Sequence, residues 1–117
     1  HLMGYGEYAG FEGMHKLWRV TRDEPLRRFA VEVIGDALLN RGHLQFTGHG
    51  RFMDLYALYA IQDMAPDPRW VEMARQALPF ALTRKHWNGY FYRRLIHFLG
   101  WCDREGILED ALTTLDQ

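Results

Sequence analysis

Leu17-Trp18-Arg19-Val20-Thr21-Arg22-Asp23-Glu24-Pro25-Leu26-Arg27-Arg28-Phe29-Ala30 holds a helix end, a stop and a helix start in one short stretch. Upstream, residues 8–21 read as a helix with Tyr8, Phe11, Leu17, Trp18 and Val20 at its apolar positions. Glu12 and Lys16 form an i,i+4 charge pair there, while Gly10 and Gly13 weaken the helix. Asp23 can cap a new helix, and Pro25 suits a first helical turn. Downstream, Leu26, Phe29, Ala30, Val33, Ile34, Ala37 and Leu38 recur at spacings of three and four, the stripe of an amphipathic helix that ends near Asn40-Arg41-Gly42.

The same pattern occurs twice more. A helix over residues 51–64 carries Phe52, Leu55, Tyr56, Leu58, Tyr59 and Ile61, apolar over much of its circumference and so expected to be covered on more than one side. Ala65-Pro66-Asp67-Pro68 breaks it, and a helix with Trp70, Met73, Ala74, Ala77, Leu78, Ala81 and Leu82 follows, with Pro79 expected to kink it. A third pair begins near Tyr90 with the stripe Phe91, Leu95, Phe98, Leu99 and Cys102. It turns at Asp103-Arg104-Glu105-Gly106 and continues through Ile107, Leu108, Ala111, Leu112 and Leu115. The short acidic turns recur at roughly 40 residues, a period typical of helical repeats. The expected fold is all-α, with three tandem antiparallel helical hairpins in a single domain over residues 5–117. His1-Leu2-Met3-Gly4 reads as a tag remnant.

Composition narrows the function classes. The 117 residues are 48% hydrophobic, 25% charged and 15% aromatic, enough for a packed core. A net charge of −1, with acids and bases interspersed, does not point to nucleic acid or an anionic membrane. No apolar run approaches the roughly 20 residues of a membrane span. The lone cysteine, Cys102, excludes an internal disulfide and a Cys-based zinc site, and its place on an apolar stripe marks it as core rather than nucleophile. One cysteine fits a reducing compartment and equally a periplasmic protein without disulfides. No two histidines stand four apart on a helix face, so no metal site is expected. No phosphate-binding glycine loop or nucleophile elbow is present, and no cofactor is implied.

The stretch 17–30, together with Leu58-Tyr59-Ala60-Ile61-Gln62-Asp63-Met64 and Asp67-Pro68-Arg69-Trp70-Val71-Glu72-Met73-Ala74, resembles the hairpins of the six-hairpin (α/α) toroid enzymes. Glycoside hydrolases, polysaccharide lyases and sugar epimerases share that ring of inner and outer helices joined by short acidic turns. The resemblance covers nearly the whole chain and is architectural. It implies a half-ring, because three hairpins stand where the toroid has six. It also implies a carbohydrate as substrate, and a homo-oligomer or the remaining hairpins of a longer chain as possible partners.

The residues for such chemistry gather between hairpins rather than within them. Residues 42–51, with Asp54, combine Gly, His and Arg. His49 and Asp54 could act as acid or base beside Arg51, or could be a solvated loop histidine and a charge favoured by the helix dipole. Arg84-Lys85-His86-Trp87-Asn88-Gly89-Tyr90, with Arg93, could bind a sugar. Trp87 and Tyr90 would stack on a pyranose face while His86 and Arg93 bond its hydroxyls. The alternative is that these aromatics pack against the next hairpin. Glu12 pairs with Asp54 as the best candidate for the two carboxylates a glycosidase needs, and otherwise serves only as the partner of Lys16. A module without catalysis, using apolar flanks to bind a protein or another copy, is the other function class.

Overall fold

The computed structural model describes residues 5–40, 51–83 and 89–115, apart from the side chains of residues 5–10, 40, 51–54, 80, 83 and 89–94. All of it is helix and short turn, with no strand among the described residues. The elements are α1 (Tyr5–Thr21), α2 (Glu24–Phe29), a π-helical segment (Ala30–Gly35) that runs on into α3 (Asp36–Asn40), α4 (Arg51–Met64), α5 (Pro68–Thr83), α6 (Gly89–Arg104) and α7 (Ile107–Leu115). The chain is therefore all-α. His1-Leu2-Met3-Gly4 and the expected helix stop at Arg41-Gly42 lie outside the described residues.

A helix that is apolar all round must be covered all round. α4 meets that requirement: every side chain from Leu55 to Ile61 is buried. α1 packs on one flank of α4 and α6 on the other, while α5 and the π-helical segment cover its back. α7 then packs on both α5 and α6. The result is an inner layer of α1, α4 and α6 under an outer layer of the remaining helices.

Local chemistry explains the turns. Arg22 closes α1 in the left-handed region at φ 55°, where its N–H bonds the Trp18 carbonyl at 2.6 Å. Its guanidinium lies 4.3 Å from the centre of the Trp18 ring. Asp67 caps α5, its Oδ1 accepting from the Arg69 N–H at 2.8 Å with Pro68 in the first helical position. The Asp67 N–H in turn donates to Gln62 Oε1 at 3.1 Å, and the Trp70 indole N–H to the Ala65 carbonyl at 3.1 Å. Gly106 turns the chain from α6 to α7 at φ 79°, a conformation that favours glycine. α5 continues through Pro79 to Thr83.

Several expectations are corrected. Leu17 and Val20, read as core positions of the first helix, face outward, with Val20 84% exposed. Glu12 and His15 take buried places beside Phe11 and Trp18 instead. The buried set 11, 15 and 18 is itself a helical stripe, on which Phe11 and Trp18 stand as expected and from which Leu17 and Val20 fall away. Phe29 and Val33 are also exposed, although Ala30, Ile34, Ala37 and Leu38 from the same stripe are buried. The buried members keep the spacing of three and four through the π-helical segment, and Phe29 and Val33, one position earlier in each case, lie at the solvent edge of the stripe. This segment also brings Gly35 close to its neighbours. A Cβ there would stand 3.4 Å from Ile61 Cδ1 and 3.5 Å from Trp70 Cη2. Asp23 precedes α2 without a side-chain capping bond. Its carbonyl accepts from Arg27 N–H at 3.2 Å, and Arg27 pairs with Glu24 at 2.8 Å. Leu112 and Leu115 on α7 are exposed as well. The first helix pair is loose: α1 shares little surface with α2, and the π-helical segment rests on α4.

Candidate functional site

His15 lies at the centre of the inner layer. It stands four residues after Phe11 and three before Trp18, so the helix turns it toward α4 and leaves it only 1% exposed. On α4, Tyr56, Tyr59 and Asp63 are spaced by three and four and share the facing side. The Tyr56 hydroxyl is 2.9 Å from His15 Nδ1, and Asp63 Oδ2 is 2.8 Å from His15 Nε2. A carboxylate only accepts, so neutral His15 donates its Nε2–H to Asp63, and Nδ1 accepts the Tyr56 hydroxyl proton. The Nε of Arg19, one turn beyond His15, lies 3.3 Å from the same Asp63 oxygen.

Aromatic rings enclose this chain. Trp18 stacks near His15 at 6.5 Å between centroids, and Tyr56 and Tyr59 meet its ring edge-on at 5.8 and 5.6 Å. From α6, His97 stacks on Tyr59 at 5.4 Å and meets Tyr56 edge-on at 5.8 Å. Burial pushes the His15 pKa below the ordinary 6.5. The hydrogen bond and charge of Asp63 oppose that shift, while the positive charges of Arg19 and His97 add to it. The cluster can hold a proton at a fixed position between an acid and a hydroxyl. Tyr56 is only 2% exposed, while Asp63 at the other end of the cluster is partly open to solvent.

These contacts also set helix direction. His15 falls between Tyr56 and Asp63, and Arg19 reaches Asp63, so α1 and α4 run the same way. α5 returns along α4 after a three-residue turn, over about 24 Å at 1.5 Å per residue. The five residues between α5 and α6 reach roughly 20 Å at most, too little to bring α6 back to the far end of α5. α4 and α6 therefore begin at the same end of the molecule.

The residues singled out from sequence fall into three groups. Glu12 is buried on α1 and accepts from Lys16 Nζ at 3.2 Å, the i,i+4 pair that the sequence indicated. Arg51 and Asp54 lie in the first turns of α4, and Tyr90 and Arg93 in those of α6. Their backbone is placed and their side chains are outside the described residues. His49, His86 and Trp87 lie outside the described residues altogether. Cys102 is in the core, where burial and the negative charge of Glu105 push its thiol up to about 12.

The chain has no match among protein-family models, curated proteins or solved structures.

Among the described residues, no three His, Cys, Asp or Glu side chains converge as a metal site requires, and no helix is long and apolar enough to cross a membrane. Among the described residues, two shallow grooves stand out on the outer surface. One of about 290 Å³ runs between α5 and α7, lined by Pro79, Ile107, Ala111 and Leu115 with Arg75 and Asp110. The other, about 470 Å³, lies at the Pro66–Pro68 turn. Neither groove is lined by a candidate residue. Sequence reading missed His15, Tyr56, Asp63 and His97 as a group. The available signal was a histidine in the Phe11–Trp18 stripe, matched by a Tyr-Tyr-Asp stripe on the next inner helix.

Proposed function

We propose that this chain is a carbohydrate-processing helical-hairpin domain, half of an (α/α) ring, whose substrate lies across the starts of α4 and α6. One observation carries it: these two helices lie side by side and begin at the same end. Arg51, Asp54, Tyr90 and Arg93 are thus in the first turns of neighbouring parallel helices, and the segments holding His49, His86 and Trp87 attach there. An acid, guanidinium groups and aromatic faces in one neighbourhood are the means by which a sugar is stacked, oriented and protonated. The Asp63–His15–Tyr56 chain links α1 to α4.

The test is depolymerisation of a panel of neutral and uronate-containing polysaccharides, read as new reducing ends and unsaturated products. Asp54→Asn is expected to lower turnover by roughly 10²–10⁴-fold with unchanged thermal unfolding. A wild-type chain that neither binds nor cleaves any glycan would overturn the proposal, as would an Asp54→Asn variant as active as wild type.

A non-catalytic role in assembly has its own support. The large apolar side chains left exposed among the described residues fall on the first and third helix pairs, Leu17, Val20, Phe29, Val31, Val33 and Leu39 on the first and Ile96, Leu112 and Leu115 on the third. None lies on α4 or α5. Apolar flanks of that kind suit helical pairs stacked on either side. A chain inert toward glycans that self-associates in light scattering would favour this role.

A further inference from the structure

We propose that the Asp63–His15–Tyr56 chain is a pH-operated clasp, which fixes α1 to α4 while His15 is neutral and loosens α1 when His15 takes up a proton. The clasp is placed to have this effect, because α4 is the main support of α1 and α2 adds little. Neutral His15 satisfies every group in the chain: Tyr56 O–H donates to Nδ1, and Nε2–H donates to Asp63.

A second proton on the ring disturbs all of this at once. It adds an Nδ1–H that points at the Tyr56 hydroxyl, which must give up its donor role. It also puts a positive charge at a site 1% exposed, walled by Trp18, Tyr56 and Tyr59. The carboxylate that could balance that charge, Asp63, is already held by Arg19 at 3.3 Å. Among the described residues, the titratable and charged groups around His15 are Glu12, Lys16 and Arg19 on α1, Tyr56, Tyr59 and Asp63 on α4, and His97 on α6. Glu12 is engaged by Lys16 at 3.2 Å, and His97 adds a further positive charge when protonated.

The sign follows from linkage. The folded pKa of His15 lies below the ordinary 6.5, so between those two values the unfolded chain binds the extra proton. The contribution of the clasp is complete above pH 6.5, falls as pH drops through that window, and levels off below the folded pKa. The same holds for local opening of α1, where one linked proton changes the opening constant by at most about tenfold per pH unit.

Two measurements on the whole chain test this. Long-range ¹H–¹⁵N spectra of the imidazoles, followed with pH, should show His15 titrating below 6.5 and its neutral form protonated on Nε2. Amide exchange, corrected for intrinsic rate, should show α1 losing protection relative to α5 as pH falls below that value, by up to about tenfold per unit. His15→Gln should remove the pH dependence of α1, whereas His97→Gln should keep it and move it toward higher pH, because the charge of His97 lowers the His15 pKa. Should His15→Gln fail to fold, Asp63→Asn is the alternative. It removes the anion that favours the charged ring and should move the loosening to lower pH. A His15 that titrates at or above 6.5, parallel loss of protection in α1 and α5, or a wild-type profile in His15→Gln would each overturn the clasp.

Discussion

Tyr56 shows how much a single polar atom carries in the inner layer. Its ring is packed between His15, Tyr59 and His97, and its hydroxyl supplies the hydrogen to His15 Nδ1. Tyr56→Phe keeps the ring and removes that donor, leaving a buried imidazole nitrogen without it. The expected cost is about 1–3 kcal/mol, the usual penalty for a stranded buried acceptor. Urea unfolding at neutral pH reads it, and a loss below a few tenths of a kcal/mol would show that the bond contributes little. At this scale the sequence was partly legible. Glu12–Lys16 could be read from spacing alone, and so could the burial of Cys102. Leu17, Val20 and His15 could not, because hydrophobicity favours Leu and Val for the core, whereas a histidine with two hydrogen-bond partners is equally at home there. Those partners are 41 and 48 residues away in the chain, beyond the reach of any local pattern.

Helix ends follow from short-range chemistry, which is why they were the most readable feature. The break at Ala65-Pro66-Asp67-Pro68 and the span of α4 from Arg51 to Met64 are as the sequence indicated. Asp67 is the residue that restarts the chain there. The side-chain hydrogen bonds of Arg69, then its backbone N–H, hold the Asp67 carboxyl below its ordinary range. Asp67→Ala should lower the thermal midpoint at neutral pH by removing the cap of α5. Because the pKa of the folded state is depressed, that contribution is present above the ordinary carboxylate range and lost as pH falls through the depressed value. The melting curves of wild type and variant should therefore converge in acid, and a gap that persists there would assign the effect to packing instead. The π-helical segment was not legible. Val31, Val33 and Gly35 fit an α-helix equally well in composition. Gly35 lies in this segment where an added Cβ would press on Ile61 and Trp70, contacts that no local pattern announces.

Across the whole molecule, the radius of gyration is 13.7 Å, close to the roughly 13 Å of a packed chain this long, and the extents are 45 × 27 × 27 Å. The inner layer gives the molecule a direction, with α1, α4 and α6 running the same way. The short turns at Ala65–Asp67 and Glu105–Gly106 lie at one end and the starts of α4 and α6 at the other. A sequence shows that two helices exist and not which neighbour each chooses, so this polarity became visible only through pairs such as His15 with Asp63. The polarity makes the site proposal specific, because a glycan must be felt at one end and not the other. The direct measurement is a titration of the ¹⁵N-labelled chain with acidic and neutral oligosaccharides, followed by amide shifts. Saturable changes confined to the first turns of α4 and α6, around Arg51, Asp54, Tyr90 and Arg93, are the expected result. Changes centred on the Ala65–Asp67 and Glu105–Gly106 turns, or no changes with any glycan, would contradict it.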